Sequence, residues 1–207
     1  MLQEFTYTGL VSDSLSGLIK VNFIIIIILR NYDTKLNKTI QNTMTVSEEL
    51  KNKAIKLGLC KQWTDDWGEA DLDTLCELYT TGIDFCIMNN YPSNEYIKAN
   101  FGKIAENHGI FTDATIDLIN PDIAILNGKS KGYIKLTGFA SRDMYARHNS
   151  IVTVEVTDQS RAFIRIFDNA FVKVINKTNN KIFVYKYSDK AVIEGDVQVR
   201  EKSLREL

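Results

Sequence analysis

The chain predicts an α+β protein: a small helical N-terminal module followed by a β-solenoid of ten-residue strand-turn units, about two units to a coil. Three observations lead there. Turn signals recur every ten residues, at Gly128-Lys129-Ser130, Gly138-Phe139-Ala140, His148-Asn149-Ser150, Asp158-Gln159-Ser160, Asp168-Asn169-Ala170, Thr178-Asn179-Asn180 and Ser188-Asp189-Lys190. Between them lie short alternating runs such as Val152, Val154 and Val156 around Thr153 and Glu155, the period of a half-buried strand. The last residue of each corner is small or polar (Ser130, Ala140, Ser150, Ser160, Ala170, Asn180), which suits a tight inward bend. An antiparallel meander could also use a ten-residue unit. The outward positions favour the solenoid. Alternate units carry Tyr145 and Arg147, then Phe163, Arg165 and Phe167, then Phe183, Tyr185 and Tyr187, while the intervening units carry Tyr133, Lys135, Thr153, Glu155, Lys173 and Lys177. A two-unit coil stacks each set on its own sheet; a meander would interleave them. Asn176 and Lys186 fall at inward positions near the C-terminal end, where terminal repeats are often atypical.

Taken in order, residues 1–43 read as a leader unlike the rest. Phe23–Leu29 is an apolar run far shorter than the roughly 20 residues that span a bilayer. No early basic region or small-residue cleavage site points to a signal peptide. Met44 is a candidate natural start, because Thr45-Val46-Ser47-Glu48 forms a helix capping box directly after it. A membrane role would require residues 18–30 to insert.

Residues 44–109 predict the helical module. A first helix runs from Thr45 to about Leu57 and stops at Gly58, and a loop carries Trp63 and Trp67. Leu72, Leu75, Cys76, Tyr79, Ile83, Cys86 and Ile87 share one helical stripe. Ser93 caps a third helix carrying Ile97 and Phe101, interrupted at Gly102. Residues 110–120 are a connector, 121–198 the solenoid and 199–207 a tail.

The formal net charge of −1 argues against overall attraction to nucleic acid or an anionic membrane. The distribution is uneven. Residues 1–120 hold 10 Lys/Arg and 16 Asp/Glu, a net −6, whereas 121–207 hold 15 and 10, a net +5. A basic C-terminal half could act locally, or the strands could simply expose Lys and Arg. Three cysteines without a Cys-x-x-Cys pair suit a reducing compartment, and Cys76 and Cys86 sit on an apolar stripe as core residues.

The stretches Leu57–Trp63 (LGLCKQW), Glu77–Cys86 (ELYTTGIDFC), Asn89–Gly102 (NNYPSNEYIKANFG) and Asn120–Gly128 (NPDIAILNG), with the corners HNS, DQS and DNA, resemble a family of small proteins common in gut Bacteroidales and their phages and prophages. The resemblance covers Met44 to Lys190. It carries no established activity and no catalytic residues. It implies a phage or mobile-element setting and a bacterial cytoplasm, with association with a virion as the other setting.

The residues themselves suggest no catalysis. There is no nucleophile elbow, phosphate-binding loop or Gly-x-Gly-x-x-Gly, and left-handed acyltransferase helices use a six-residue rather than a ten-residue repeat. The acidic run Asp65, Asp66, Glu69, Asp71 and Asp73 lacks calcium-loop spacing, and the two histidines, His108 and His148, lack ligand partners in sequence. No metal site and no cofactor are predicted. The sharpest candidate is the aromatic face, with Tyr145, Arg147, Phe163, Arg165, Phe167, Phe183, Tyr185 and Tyr187 as interface residues toward a protein partner or a second copy. The competing fate of that stripe is burial under the helical module or the tail. The alternative function is nucleic-acid binding through Arg147, Arg161, Arg165, Lys173 and Lys177.

Overall fold

The computed structural model describes residues 44–207; the readings made for residues 1–43 lie outside the described residues. Among the described residues six short helices come first: α1 (Val46–Lys56), α2 (Lys61–Asp66), α3 (Leu72–Thr81), α4 (Ile83–Met88), α5 (Asn94–Asn100) and α6 (Gly102–Asn107). Eleven strands follow: β1 (Ile110–Thr112), β2 (Thr115–Ile119), β3 (Ile123–Asn127), β4 (Lys131–Leu136), β5 (Ser141–Ala146), β6 (Ile151–Val156), β7 (Arg161–Ile166), β8 (Phe171–Asn176), β9 (Phe183–Lys186), β10 (Val192–Glu194) and β11 (Gln198–Glu201). A 3₁₀ turn, Leu204–Glu206, ends the chain.

The strands form a parallel β-solenoid. Odd-numbered strands make a six-stranded sheet in the order β1-β3-β5-β7-β9-β11, and even-numbered strands a five-stranded sheet in the order β10-β8-β6-β4-β2. Every pairing is parallel. In the middle of the stack the register is constant: Lys131 faces Ile151, Ile151 faces Phe171, Ser141 faces Arg161 and Phe163 faces Phe183, each a step of twenty residues. The end coils are shorter, since Ile110 faces Ile125 and Phe183 faces Gln198.

The period-two runs explain the core. Inward residues of both sheets, Leu126, Ile134, Leu136, Val154, Val156, Ile164, Ile166, Val172 and Val184 among them, form one buried column between the sheets. Burying each such side chain stabilises by about 1.5–3 kcal/mol. The corners close on small groups: Ser130, Ser150, Ser160 and Ala170 are fully buried. The first residue of a corner turns the chain left-handed, with φ of +58° at His148, +56° at Asp158 and +53° at Asp168. Their side chains then reach the preceding coil. Gly128 N donates to His148 Nδ1 at 3.0 Å, Gly138 N to Asp158 Oδ2 at 2.8 Å and His148 N to Asp168 Oδ2 at 2.8 Å. Asp and Asn tolerate these backbone angles better than most residues, and here the same side chains satisfy a neighbouring corner's N–H groups.

Several boundaries differ from the sequence expectation. Residues 110–120 are not a connector; they contain β1 and β2 and form the first coil, because Ile116 and Leu118 join the solenoid core. The tail holds β11, paired with β9. Trp63 lies in α2 rather than a loop, and the stripe from Leu72 to Ile87 is two helices broken at Gly82. Asp71, part of the acidic run, caps α3 by accepting from Thr74 N at 2.9 Å. At the worn end of the pattern, Asn176 serves its own corner by bonding to Thr178 N and Asn180 O, and Lys186 pairs with Glu201 at 3.4 Å. No helix among the described residues is long and apolar enough to cross a membrane.

Candidate functional site: the outer face of the six-stranded sheet

Parallel register stacks the outward side chains of β3, β5, β7, β9 and β11 into rows. One row runs Asp143, Phe163, Phe183, Gln198. The next runs Ile125, Tyr145, Arg165, Tyr185, Arg200. A third lies just beyond the strand ends and includes Arg147, Phe167 and Tyr187, held by Arg147 N to Leu126 O, Phe167 N to Ala146 O and Tyr187 N to Ile166 O. All eight interface candidates therefore lie on one face.

They do not share one environment. Tyr145, Arg147 and Phe167 are buried, at 7%, 4% and 2% exposure. Tyr145 and Phe167 belong to the same hydrophobic cluster as Leu75, Tyr79, Ile83 and Phe101 of the helical module. These three are thus corrected from interface candidates to internal contacts: the helical module packs on the face and covers its first coils. Arg147 is held there by neutral groups. Its Nη1 donates to Tyr79 Oη at 3.3 Å and Asn127 Oδ1 at 3.2 Å, and its Nη2 to Asn90 Oδ1 at 3.3 Å. Burial pushes the Tyr79 hydroxyl above its ordinary pKa, with the Arg147 charge working the other way. His148 completes the cluster, with Nε2 at 3.0 Å from Asn90 Oδ1.

The C-terminal part of the face is uncovered to differing degrees. Phe163 is 37% exposed; Phe183, Tyr185 and Tyr187 are half-buried. Arg200, which sequence reasoning assigned to the tail, lies 4.1 Å from the Phe183 ring centre and 5.8 Å from that of Tyr185. Tyr187 stacks on Phe167 at 4.7 Å and 14°, continuing the buried cluster toward Leu207. Arg165 lies over Tyr145 at 5.0 Å and donates to Asp143 Oδ1 at 2.6 Å. Burial opposes its charge, while the Asp143 hydrogen bond and the nearby Tyr145 and Asp143 favour it; the net shift is upward.

The residues named for nucleic acid are not gathered into one footprint. Arg147 is buried and Arg165 is paired, both on the six-stranded sheet, and Arg161 is exposed at the start of β7. Lys173 and Lys177 belong to the other sheet, where Lys177 Nζ donates to Glu155 Oε2 at 2.8 Å. That pairing, joined by Lys135 at 3.7 Å, holds the Glu155 carboxyl below its usual range. Among the described residues, no group of three or more His, Cys, Asp or Glu is placed to hold a metal ion. His108 instead meets Asp73 at 2.9 Å.

Asn90, Asn127 and Arg200 carry much of this face and were not singled out from sequence; Tyr79 was read only as a position of the helical stripe. Only Asn127 left a signal: a polar residue directly after the apolar run Ile123–Leu126. Comparison of the chain with protein-family models, with curated proteins and with solved structures gave no match.

Proposed function

We propose that this chain is a non-enzymatic binding or assembly scaffold: a rigid solenoid of ten-residue strand-turn units, two to a coil, that presents the uncovered part of its six-stranded face to a protein. A second copy of the chain is the partner to test first. The observation that carries the reading is the aromatic patch of Phe163, Phe183 and Tyr185 with Arg200 among the rings, left beside a face the helical module has already covered. Aromatic rings with arginine among them are the composition of protein interfaces.

The resemblance to proteins of gut Bacteroidales and their phages supplies the proposed setting, a bacterial cytoplasm or a phage particle. Nucleic-acid binding has the weaker support, since its candidate cations are divided between two sheets and several are already engaged. Catalysis forms no part of the proposal.

The test is light scattering on the full chain against the double variant Phe163→Ser, Phe183→Ser. Phe167 is left intact because it is core. The wild type should form a multimer at micromolar concentration and the variant a monomer with unchanged circular dichroism. A wild-type monomer, or a variant that still assembles, removes the self-assembly form of the reading. A wild-type absorbance ratio showing bound nucleic acid would favour the other function.

A further inference from the structure

Independently of the sheet face, the helical module contains a half-open groove of about 380 Å³. Its origin is visible in the sequence. Ala54 of α1, Cys76 of α3, Cys86 of α4 and Ala105 of α6 all border it, and all are buried. Four helices therefore each turn a small side chain toward the same space, where larger ones would close it. The walls are aromatic: Trp63, Trp67, Tyr79, Phe85, Tyr91 and Phe101. Trp67 is fixed in place by donating Nε1–H to Ser47 Oγ at 3.1 Å. Trp63 lies against the backbone at Gly82, where a side chain would meet its ring. The rim is formed by exposed Gly58, Cys60, Thr81 and Asp84.

The volume falls in the range of small-molecule sites, and the composition, apolar walls with few polar groups, is theirs as well. Small-module interiors normally pack to crystal-like density, so an apolar space of this size walled by six aromatics is unusual as mere packing. The charges around it narrow the ligand. Among the groove's lining residues Asp84 alone carries a formal charge. Arg165, the cation whose charge reaches Asp84, is itself bonded to Asp143, and Lys53 sits over the Tyr91 ring at 5.6 Å. The floor is uncharged too, since burial pushes the Cys76 and Cys86 thiols up to about 12. An anionic head at the rim would meet the Asp84 carboxylate.

We infer that this groove is a binding site for a small apolar molecule whose polar end is not anionic. The chain reports on it directly, because its two tryptophans, Trp63 and Trp67, both line the groove. The experiment titrates the full chain at neutral pH with decanol, decylammonium and decanoate, which share a tail and differ in head. Decanol should change tryptophan emission saturably, and decanoate should bind at least tenfold more weakly. Asp84→Asn, at an exposed rim position, should narrow that gap. Thr81→Phe, also at the rim, should weaken decanol at least tenfold by calorimetry while leaving the melting temperature in place. Unchanged emission up to the solubility limit of decanol, decanoate binding as tightly as decanol, or undiminished binding to a folded Thr81→Phe protein would each overturn the assignment. If Thr81→Phe does not fold, the head-group comparison on the wild type decides alone.

Discussion

His148 shows how much a single corner residue can do. Its Nδ1 accepts from Gly128 N, so the neutral ring must carry its proton on Nε2, which then donates to Asn90 Oδ1. Burial first, and the Arg147 charge second, hold its pKa below the ordinary value. A protonated ring could no longer accept from Gly128. The neutral form is therefore favoured in the folded chain, and the unfolded chain binds the extra proton first. His148 should contribute stability that is complete above its unfolded pKa of about 6.5 and that falls away as pH drops toward the depressed folded value. Denaturant midpoints measured from pH 7.5 down to 5 should decline in the wild type and decline less in His148→Asn, which keeps an acceptor and tolerates the left-handed backbone. An equal slope in both would remove the role assigned to this ring. Neighbouring Arg147 illustrates the limit of sequence reading at this scale. Its outward register position was correctly inferred, but whether an outward residue meets water or another module is decided by tertiary packing that alternation does not encode.

At the scale of the element, strands were far more readable than helices. Apolar residues at every second position and a register step of twenty residues between stacked strands leave a clear periodic trace, and β4 to β8 follow it closely. The helices are six to eleven residues long, too short for periodicity to separate one from the next, so the break at Gly82 and the existence of α2 went unnoticed. The first coil was missed for a related reason: its register step is shorter than in the middle of the stack, and its corner uses Asp113 rather than a recurrent motif. Gly132 marks where that short coil meets β4. Its φ is +155°, and a Cβ there would collide with the carbonyl of Ile116 on β2. Gly132→Ala should destabilise the protein by about 2 kcal/mol or more, through clash and backbone strain together. Gly138→Ala is the control, since a Cβ there meets nothing and only its φ of +73° is strained. Thermal melts of the two variants compare them, and a milder effect at Gly132 would contradict the close approach of β2 and β4.

At the largest scale, residues 46–207 form a short stack in which each coil touches mainly its neighbours, with a helical module seated on the first coils of one face. Because side-chain columns repeat at a step of twenty residues in the middle of the stack, removal of residues 151–170 should leave inward columns inward: β8 would follow β4 and β9 would follow β5. Tyr145 and Arg147, which hold the helical module, would be untouched, while Phe167 would be lost and its register position taken by Tyr187. That variant should fold, with a lower melting temperature, because one nearest-neighbour interface is lost. Removal of residues 151–160 alone should fail, since every later strand would move to the opposite sheet. Circular dichroism and melting of the two deletions provide the comparison, and a well-folded shorter deletion would contradict the two-sheet coil.

The constant register has a consequence for heredity. An in-frame duplication of one coil's coding sequence would insert a new layer whose side chains already match those above and below. Such an accident would lengthen the presenting surface in a single event while leaving the helical module on its own coils. Point mutation would have to remake an interface residue by residue, but copying can extend it whole.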